Sequence, residues 1–211
     1  MRIISNLKKY IRIKLFLKFQ KRYKKVFFID QITNGFIAKK GNNKKSLDLG
    51  CGLQPKNPFN AEILHGVDLR DDLSHTFETK KANLITQKLP YPNNEFDFVT
   101  AFDFIEHIPR IVLDQGIVKY PFIEVMNEIY RVLKPNGLFL HQTPAFPSTL
   151  VFQDPTHVNI ITENTFPNYF CYPNIEAKLN GYGFSGSFEL LDQRWFHGTW
   201  ILGLMRASKN A

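Results

Sequence analysis

The sequence predicts an α/β fold: a mostly parallel, seven-stranded sheet flanked by helices. Three observations carry this. From Lys44 onward, short apolar runs alternate with segments of helical spacing, the pattern of a sheet covered by helices. The first run, residues 46–49, feeds directly into Gly50-Cys51-Gly52. Glycines at such a turn let the backbone reverse sharply and lie close to a ligand, with a helix N-terminus expected behind it. The next run, 63–67, ends on Asp68, eighteen residues after Gly50. A carboxylate placed there can accept hydrogen bonds from both hydroxyls of a ribose.

The elements follow in order. Residues 1–43 form a basic arm. Ile4, Leu7, Ile11 and Leu15 fit one helix face, while Ile11, Ile13, Leu15, Leu17 and Phe19 alternate as in a strand; the helical pattern is the one favoured. Gly41, Asn42 and Asn43 break the chain, and residues 44–211 form the main domain. Its strands are expected at 46–49, 63–67, 82–84, 96–101, 138–141, 187–191 and 199–206. Phe122, Met126, Ile129, Tyr130 and Leu133 fall at helical spacing. That helix stops at Lys134-Pro135-Asn136-Gly137, where proline cannot continue it and glycine tolerates a tight turn.

Charge separates the two parts. Residues 1–45 carry fourteen Lys and Arg against the single acid Asp30, whereas the rest of the chain is net acidic. The overall charge of +8 therefore belongs to the arm. Lys8, Lys9, Arg12, Lys14 and Lys18 interrupt the apolar residues, so no run of about 20 apolar residues spans a bilayer. Neither is there a signal-peptide pattern. Cys51 and Cys171 are the only cysteines and form no Cys-x-x-Cys pair, which argues against a zinc or disulfide framework and for a cytoplasmic protein.

Leu47-Asp48-Leu49-Gly50-Cys51-Gly52 resembles motif I of class I S-adenosylmethionine-dependent methyltransferases. Later segments are similar to the type 11 methyltransferase domains: Leu89-Pro90-Tyr91 with Glu95-Phe96-Asp97-Phe98-Val99, then Ile105-Glu106-His107-Ile108, then Glu128 through Pro135. The resemblance spans roughly residues 45–208 and implies a Rossmann-like class I methyltransferase fold. The implied cofactor is S-adenosyl-L-methionine, with S-adenosyl-L-homocysteine as product. By position, Gly50, Cys51 and Gly52 approach its methionine part and Asp48 helps hold the ammonium. Asp68 binds the ribose, Leu69 packs on the adenine, and Asn83 lies near the adenine amino group. Phe102 and Asp103 border the methyl group and substrate. Two positions depart from the family pattern: Gln54 stands where a third glycine is common, and Asn136 replaces the first glycine of Lys-Pro-Gly-Gly. A nucleophilic Cys51 is rejected, because it lies inside the cofactor turn with no activating partner.

The sulfonium methyl group is already activated, so the protein mainly aligns a nucleophile. An alcohol acceptor also needs a proton acceptor. The catalytic candidates are His157, Asp154 and His107, with Asp103 and Glu106 as further carboxylates. Asp154 is placed to orient His157 in the segment that follows the fifth strand. Phe146, Phe152, Tyr169, Phe170 and Trp195 are candidate pocket aromatics. Acidic clusters with metal-ligand spacing are not evident, so no metal is expected. The absence of an Asn/Asp-Pro-Pro-aromatic sequence after the fourth strand argues against amino methylation of bases.

The expected function is O-methylation of a sugar, glycan or other small metabolite. The alternatives are an RNA methyltransferase using the basic arm on phosphates, and a non-catalytic cofactor-binding protein. The arm is also a candidate membrane-surface contact, placing the protein peripherally at the inner membrane face. A nicotinamide-dependent oxidoreductase would suit the glycine turn alone but not the later segments.

Overall fold

A computed structural model describes residues 25–70 and 77–209. Its strands are β1 (Lys25–Val26), β2 (Lys45–Leu49), β3 (Ile63–Asp68), β4 (Glu78–Lys81), β5 (Phe96–Phe102), β6 (Val112–Asp114), β7 (Ile117–Lys119), β8 (Leu133–Phe146), β9 (Ile161–Thr162), β10 (Phe188–Phe196) and β11 (Trp200–Ala207). The helices are α1 (Asp30–Thr33), α2 (Pro121–Val132), α3 (Leu150–Gln153), α4 (Thr165–Tyr169) and α5 (Glu176–Leu179). The main sheet runs β1-β10-β11-β8-β5-β2-β3-β4, with β9 added beside β8. β2, β3, β4, β5 and β8 are parallel, and β11 alone enters antiparallel, between β8 and β10.

The seven expected strands are present in their predicted order, joined by the short β1 and β9. The third lies at Glu78–Lys81 rather than 82–84. It is a charged edge strand, the kind that blunts a sheet edge against aggregation and shows no apolar run. The ladder still reaches Ala82, whose N–H donates to the Asp68 carbonyl at 3.0 Å. The fifth strand is longer than 138–141, and Asn136 within it holds a left-handed φ of 61°. Asparagine tolerates that conformation, so it replaces glycine here.

Helix α2 follows from its sequence. Pro121 sits in the first turn, where its missing N–H costs nothing. Phe122, Met126 and Ile129 bury one face against the sheet. The outer face contributes Arg131, whose guanidinium clamps the 89–93 segment: it donates to the Tyr91 carbonyl (2.8 Å), Asn93 Oδ1 (2.9 Å), the Leu89 carbonyl (3.0 Å) and both Glu128 oxygens. Glu128 in turn accepts from Leu89 N–H at 2.8 Å. The Leu-Pro-Tyr and Glu-Ile-Tyr-Arg segments are thus two halves of one buried contact.

Among the described residues the other face of the sheet has no helix of this length. The helix expected behind Gly50-Cys51-Gly52 is absent: residues 50–62 form a loop. Pro55 and Pro58 interrupt it, and Asn60 takes a left-handed φ of 52°. Phe59 does the covering instead, fully buried and stacked on Phe98 at 4.4 Å between ring centroids. Val26 and Ile32 complete this layer over Leu138, Leu140, Leu202 and Leu204. The described end of the basic arm therefore packs on the sheet; most of the predicted arm helix falls on residues 1–24, outside the described residues. No helix among the described residues is long and apolar enough to cross a membrane.

A histidine lies among the aromatic residues of the core. His141 of β8 is fully buried and stacks on Phe166 at 3.7 Å, and neither ring nitrogen has a hydrogen-bond partner among the described residues. Gly203 lies opposite on β11, and a Cβ there would sit 2.3 Å from His141 Nε2. Gly203→Ala is therefore expected to lower stability by about 1–3 kcal/mol, as overpacking does, read as a lower urea midpoint; an unchanged midpoint would mean the ring moves aside freely. Burial also pushes His141 down to about 3. A histidine held neutral in the fold binds its proton more readily when unfolded, so its contribution is intact above about 6.5 and is lost as pH falls below that value. His141→Phe should flatten the decline in stability between pH 6.5 and 4; an unchanged slope would place the acid sensitivity elsewhere.

Candidate active site

The site is built where β2, β3 and β5 end. β2 and β3 pair in parallel, with Asp48 opposite Gly66 and Leu49 opposite Val67. Two carboxylates at these strand ends hold the intervening loop by its backbone. Asp68 Oδ2 accepts from Gly52 N–H at 2.8 Å, and its Oδ1 accepts from Arg70 N–H at 3.1 Å. Asp48 is buried; its Oδ1 accepts from Thr100 Oγ1 at 2.6 Å and its Oδ2 from Lys56 N–H at 2.8 Å. Burial pushes the Asp48 carboxyl up to about 6, against the opposing pull of these two bonds.

Glycines make the close approach possible. Gly50 and Gly52 both have positive φ, 66° and 59°. A Cβ at Gly50 would lie 2.7 Å from the Phe104 ring, and one at Gly52 would lie 2.8 Å from the Arg70 guanidinium. At Gly66 a Cβ would meet Cys51 Sγ at 2.5 Å. The Cys51 side chain therefore points inward, and burial pushes its thiol up to about 12. It is an inert packing group that offers only its backbone to a ligand.

Leu69 is exposed beside the Asp68 carboxylate. Asn83 is half-buried one residue past the last β3–β4 bond; its Oδ1 accepts from Ile85 N–H at 3.0 Å. Phe102 and Asp103 part company. The Phe102 ring is buried in the second layer with Lys56 Nζ 4.4 Å above it. Asp103, with φ of 49°, turns its carboxylate to Gln142 Nε2 (3.1 Å) and Trp200 Nε1 (2.8 Å).

Beyond Asp103 a cavity of about 520 Å³ opens at the ends of β5 and β8. Glu106, His107, Asp154, His157 and Trp200 are in its wall. The loop carrying His157 is zipped to the turn after β5: Val158 N–H and Asn159 N–H both donate to the Glu106 carbonyl at 2.9 Å. Asp154 does not orient His157. Its Oδ1 caps its own turn, accepting from Thr156 N–H (2.8 Å) and Thr156 Oγ1 (2.6 Å), as a short side chain two residues upstream of a free amide readily does. The His157 Nδ1 instead faces the Leu150 carbonyl at 3.1 Å. Glu106 is buried; its Oε2 accepts from Thr143 Oγ1 at 2.8 Å, and burial pushes its carboxyl up to about 7.

Residues 19–185 match the sequence model of a family described as a methyltransferase domain. The chain belongs to this family. The fold is shared with solved structures: the YcgJ protein of Bacillus subtilis superposes with a TM-score of 0.57 at 12% identity, covering 87% of this chain and 98% of that one. A SAM-dependent methyltransferase of Archaeoglobus fulgidus gives 0.52 at 17% identity over 84% and 90%. Sterol 24-C-methyltransferase erg6 of Aspergillus fumigatus is 30% identical over 112 residues, which is 45% of this chain and 26% of that protein. The chain thus spans about a quarter of the length of that curated relative. S-adenosylmethionine is the cofactor of this methyltransferase domain, and the site fits it: paired carboxylates, exposed Leu69 and two glycines whose positive φ keeps the turn free of side chains.

Several residues of the methyltransferase site escape sequence reasoning. Thr100, Thr143, Gln142 and Trp200 each fix a carboxylate from a strand that pairs only in the fold. Trp200 lines the cavity, while Phe170 and Trp195 are core residues and Tyr169 and Phe170 border a different hollow. Phe146 and Phe152 are exposed outside the cavity. Glu106, His107 and His157 bring one potential ligand atom each within 4.8 Å of one another. His157 lies fifty positions after His107 in sequence, which is why no metal-ligand spacing is visible there.

On the role that the resemblance gives Asp48, its charge attracts the cofactor's ammonium. Binding of S-adenosylhomocysteine should then weaken as pH falls through about 6 and Asp48 takes up a proton. Asp48→Asn, whose amide can keep both hydrogen bonds, should bind roughly tenfold more weakly at pH 8 and lose that pH dependence. Calorimetric titration at pH 5 and 8 checks this; equal affinities for both proteins at pH 8 would remove the charge from cofactor binding.

Proposed function

We propose that this domain methylates a hydroxyl oxygen of a sugar, glycan or other small metabolite. The observation that carries this reading is the cavity beyond Asp103. It combines a volume suited to a small molecule with imidazole and carboxylate groups gathered on one wall. When bound, S-adenosylmethionine supplies a methyl group already activated as a sulfonium. What the chain must add is alignment and a destination for the hydroxyl proton, since an alcohol is a poor nucleophile while protonated. Phe104 links the two halves of the site: its ring covers Gly50 of the cofactor loop, and its neighbours Asp103 and Glu106 face the cavity. Trp200 offers a flat apolar face suited to a sugar ring, its N–H already engaged by Asp103.

An RNA acceptor is less favoured. Asp103, Glu106 and Asp154 make the cavity wall acidic, which repels phosphates. The basic arm's first 24 residues lie outside the described structure, so its role as a phosphate or membrane contact rests on sequence charge alone. The sterol acceptor of the fungal relative is not transferred, because the match covers a quarter of that protein.

The test is transfer of labelled methyl from S-adenosylmethionine into fractionated small-molecule and glycan pools. Label in alkali-stable methyl ethers is expected. Recovery of label only in RNA, in methyl amines or at carbon would overturn the reading. His157→Gln should lower turnover on such an acceptor by about 10²-fold or more with S-adenosylhomocysteine affinity unchanged; full turnover would show that the wall of the cavity is not used.

A further inference from the structure

We propose that Glu106, His107 and His157 form a binding site for one divalent transition-metal ion, with positions left open towards the acceptor cavity. The first support is convergence: one ligand atom from each residue lies within 4.8 Å of the other two. The rings of His107 and His157 stand 4.9 Å apart and nearly perpendicular, at 74°.

The second support is the orientation of the rings. His157 Nδ1 lies 3.1 Å from the Leu150 carbonyl, and His107 Nδ1 lies 3.3 Å from the Thr156 carbonyl and 3.0 Å from Thr156 Oγ1. Carbonyl oxygens only accept, so each Nδ1 carries the hydrogen, and in the neutral ring Nε2 is then the nitrogen with the free lone pair. Metal-bound histidines use this arrangement, the second ring nitrogen donating to a carbonyl to fix tautomer and orientation.

The third support is an orphaned atom. Glu106 is almost completely buried; its Oε2 takes the Thr143 hydroxyl, but its Oε1 has no hydrogen-bond partner among the described residues. A buried carboxylate oxygen left unpaired is costly unless a cation or donor meets it. The imidazoles do not satisfy it, since no hydrogen bond to this oxygen is formed among the described residues. Asp103 is not available for this role, since Gln142 and Trp200 already hold its oxygens.

Two imidazoles and one carboxylate suit manganese, iron, cobalt, nickel or zinc better than magnesium or calcium, which prefer all-oxygen shells. Ligand atoms about 2.1 Å from one ion stand about 3 Å apart, so the three side chains draw inward on binding. A three-ligand protein site keeps coordination positions for water or substrate. The metal's role rests on the O-methylation reading: in place of direct proton transfer to His157, an ion there acidifies a substrate hydroxyl beside the cofactor, whose proton leaves to solvent, and a vicinal diol supplies two oxygens to it.

The experiment uses the full chain, stripped with chelator and titrated with Mn²⁺ followed by spin resonance, and with Zn²⁺ by calorimetry. One equivalent per chain is expected to bind. Glu106→Gln and His157→Gln should each weaken binding at least tenfold while retaining S-adenosylhomocysteine binding, whereas His197→Ala, on the exposed turn before β11, should leave it unchanged. Absence of saturable binding at one equivalent, or full binding in both Glu106→Gln and His157→Gln, overturns the site and leaves the hydroxyl reading standing. Transfer of methyl to an atom other than oxygen by a chain that binds one ion overturns the hydroxyl reading and leaves the site.

Discussion

Two carboxylates holding a loop by its backbone amides are the constraint on which the rest of the site depends. Asp48 and Asp68 close neighbouring parallel strands and reach into the same segment, one at Lys56 N–H and the other at Gly52 N–H. The segment has no helix to stiffen it, so these bonds and the burial of Phe59 fix its path. Gly66 is equally necessary, because only a residue without Cβ lets Cys51 settle on β3. The arrangement places exposed backbone at the strand ends, where open parallel sheets bind ligands.

The proposed acceptor side is anchored to the same sheet by a different device. The turn after β5 is short and holds Asp103 at a left-handed φ, which directs its carboxylate across the sheet to Trp200 and Gln142. The segment after β8 returns to this turn and bonds to the Glu106 carbonyl through two successive amides. Loop 50–56 and the proposed acceptor cavity are therefore joined through residues 102–107, and Phe104 lies against Gly50 of the loop. A methyl donor and its acceptor need this kind of rigid adjacency, since misplacement by about an ångström can cost 10²-fold in rate.

Much of the frame was legible in the sequence because its signals are local. Apolar runs ending at Leu49 and Asp68, the helical spacing from Phe122 to Ile129 and the Pro-Asn-Gly break all reflect short-range sterics and burial. What was not legible depends on cross-strand partners. Nothing near Glu78–Lys81 announces a strand, because its stability comes from pairing with β3. The missing helix after Gly52 is decided by two prolines and by Phe59 finding Phe98, forty residues away. In the site, the Glu-His pair and His157 were both visible, but their meeting was not. Asp154 next to His157 suggested a dyad; the structure gives Asp154 to Thr156, whose amide is nearer.

Whether loop 50–56 and the Asp68 strand end grip the cofactor is decided by hydrogen–deuterium exchange with and without S-adenosylhomocysteine. The cofactor is expected to slow exchange of the amides at residues 50–56 and 68–70, while those of α2 change little. Protection confined to other segments, with these amides exchanging at the same rate in both states, would contradict this grip.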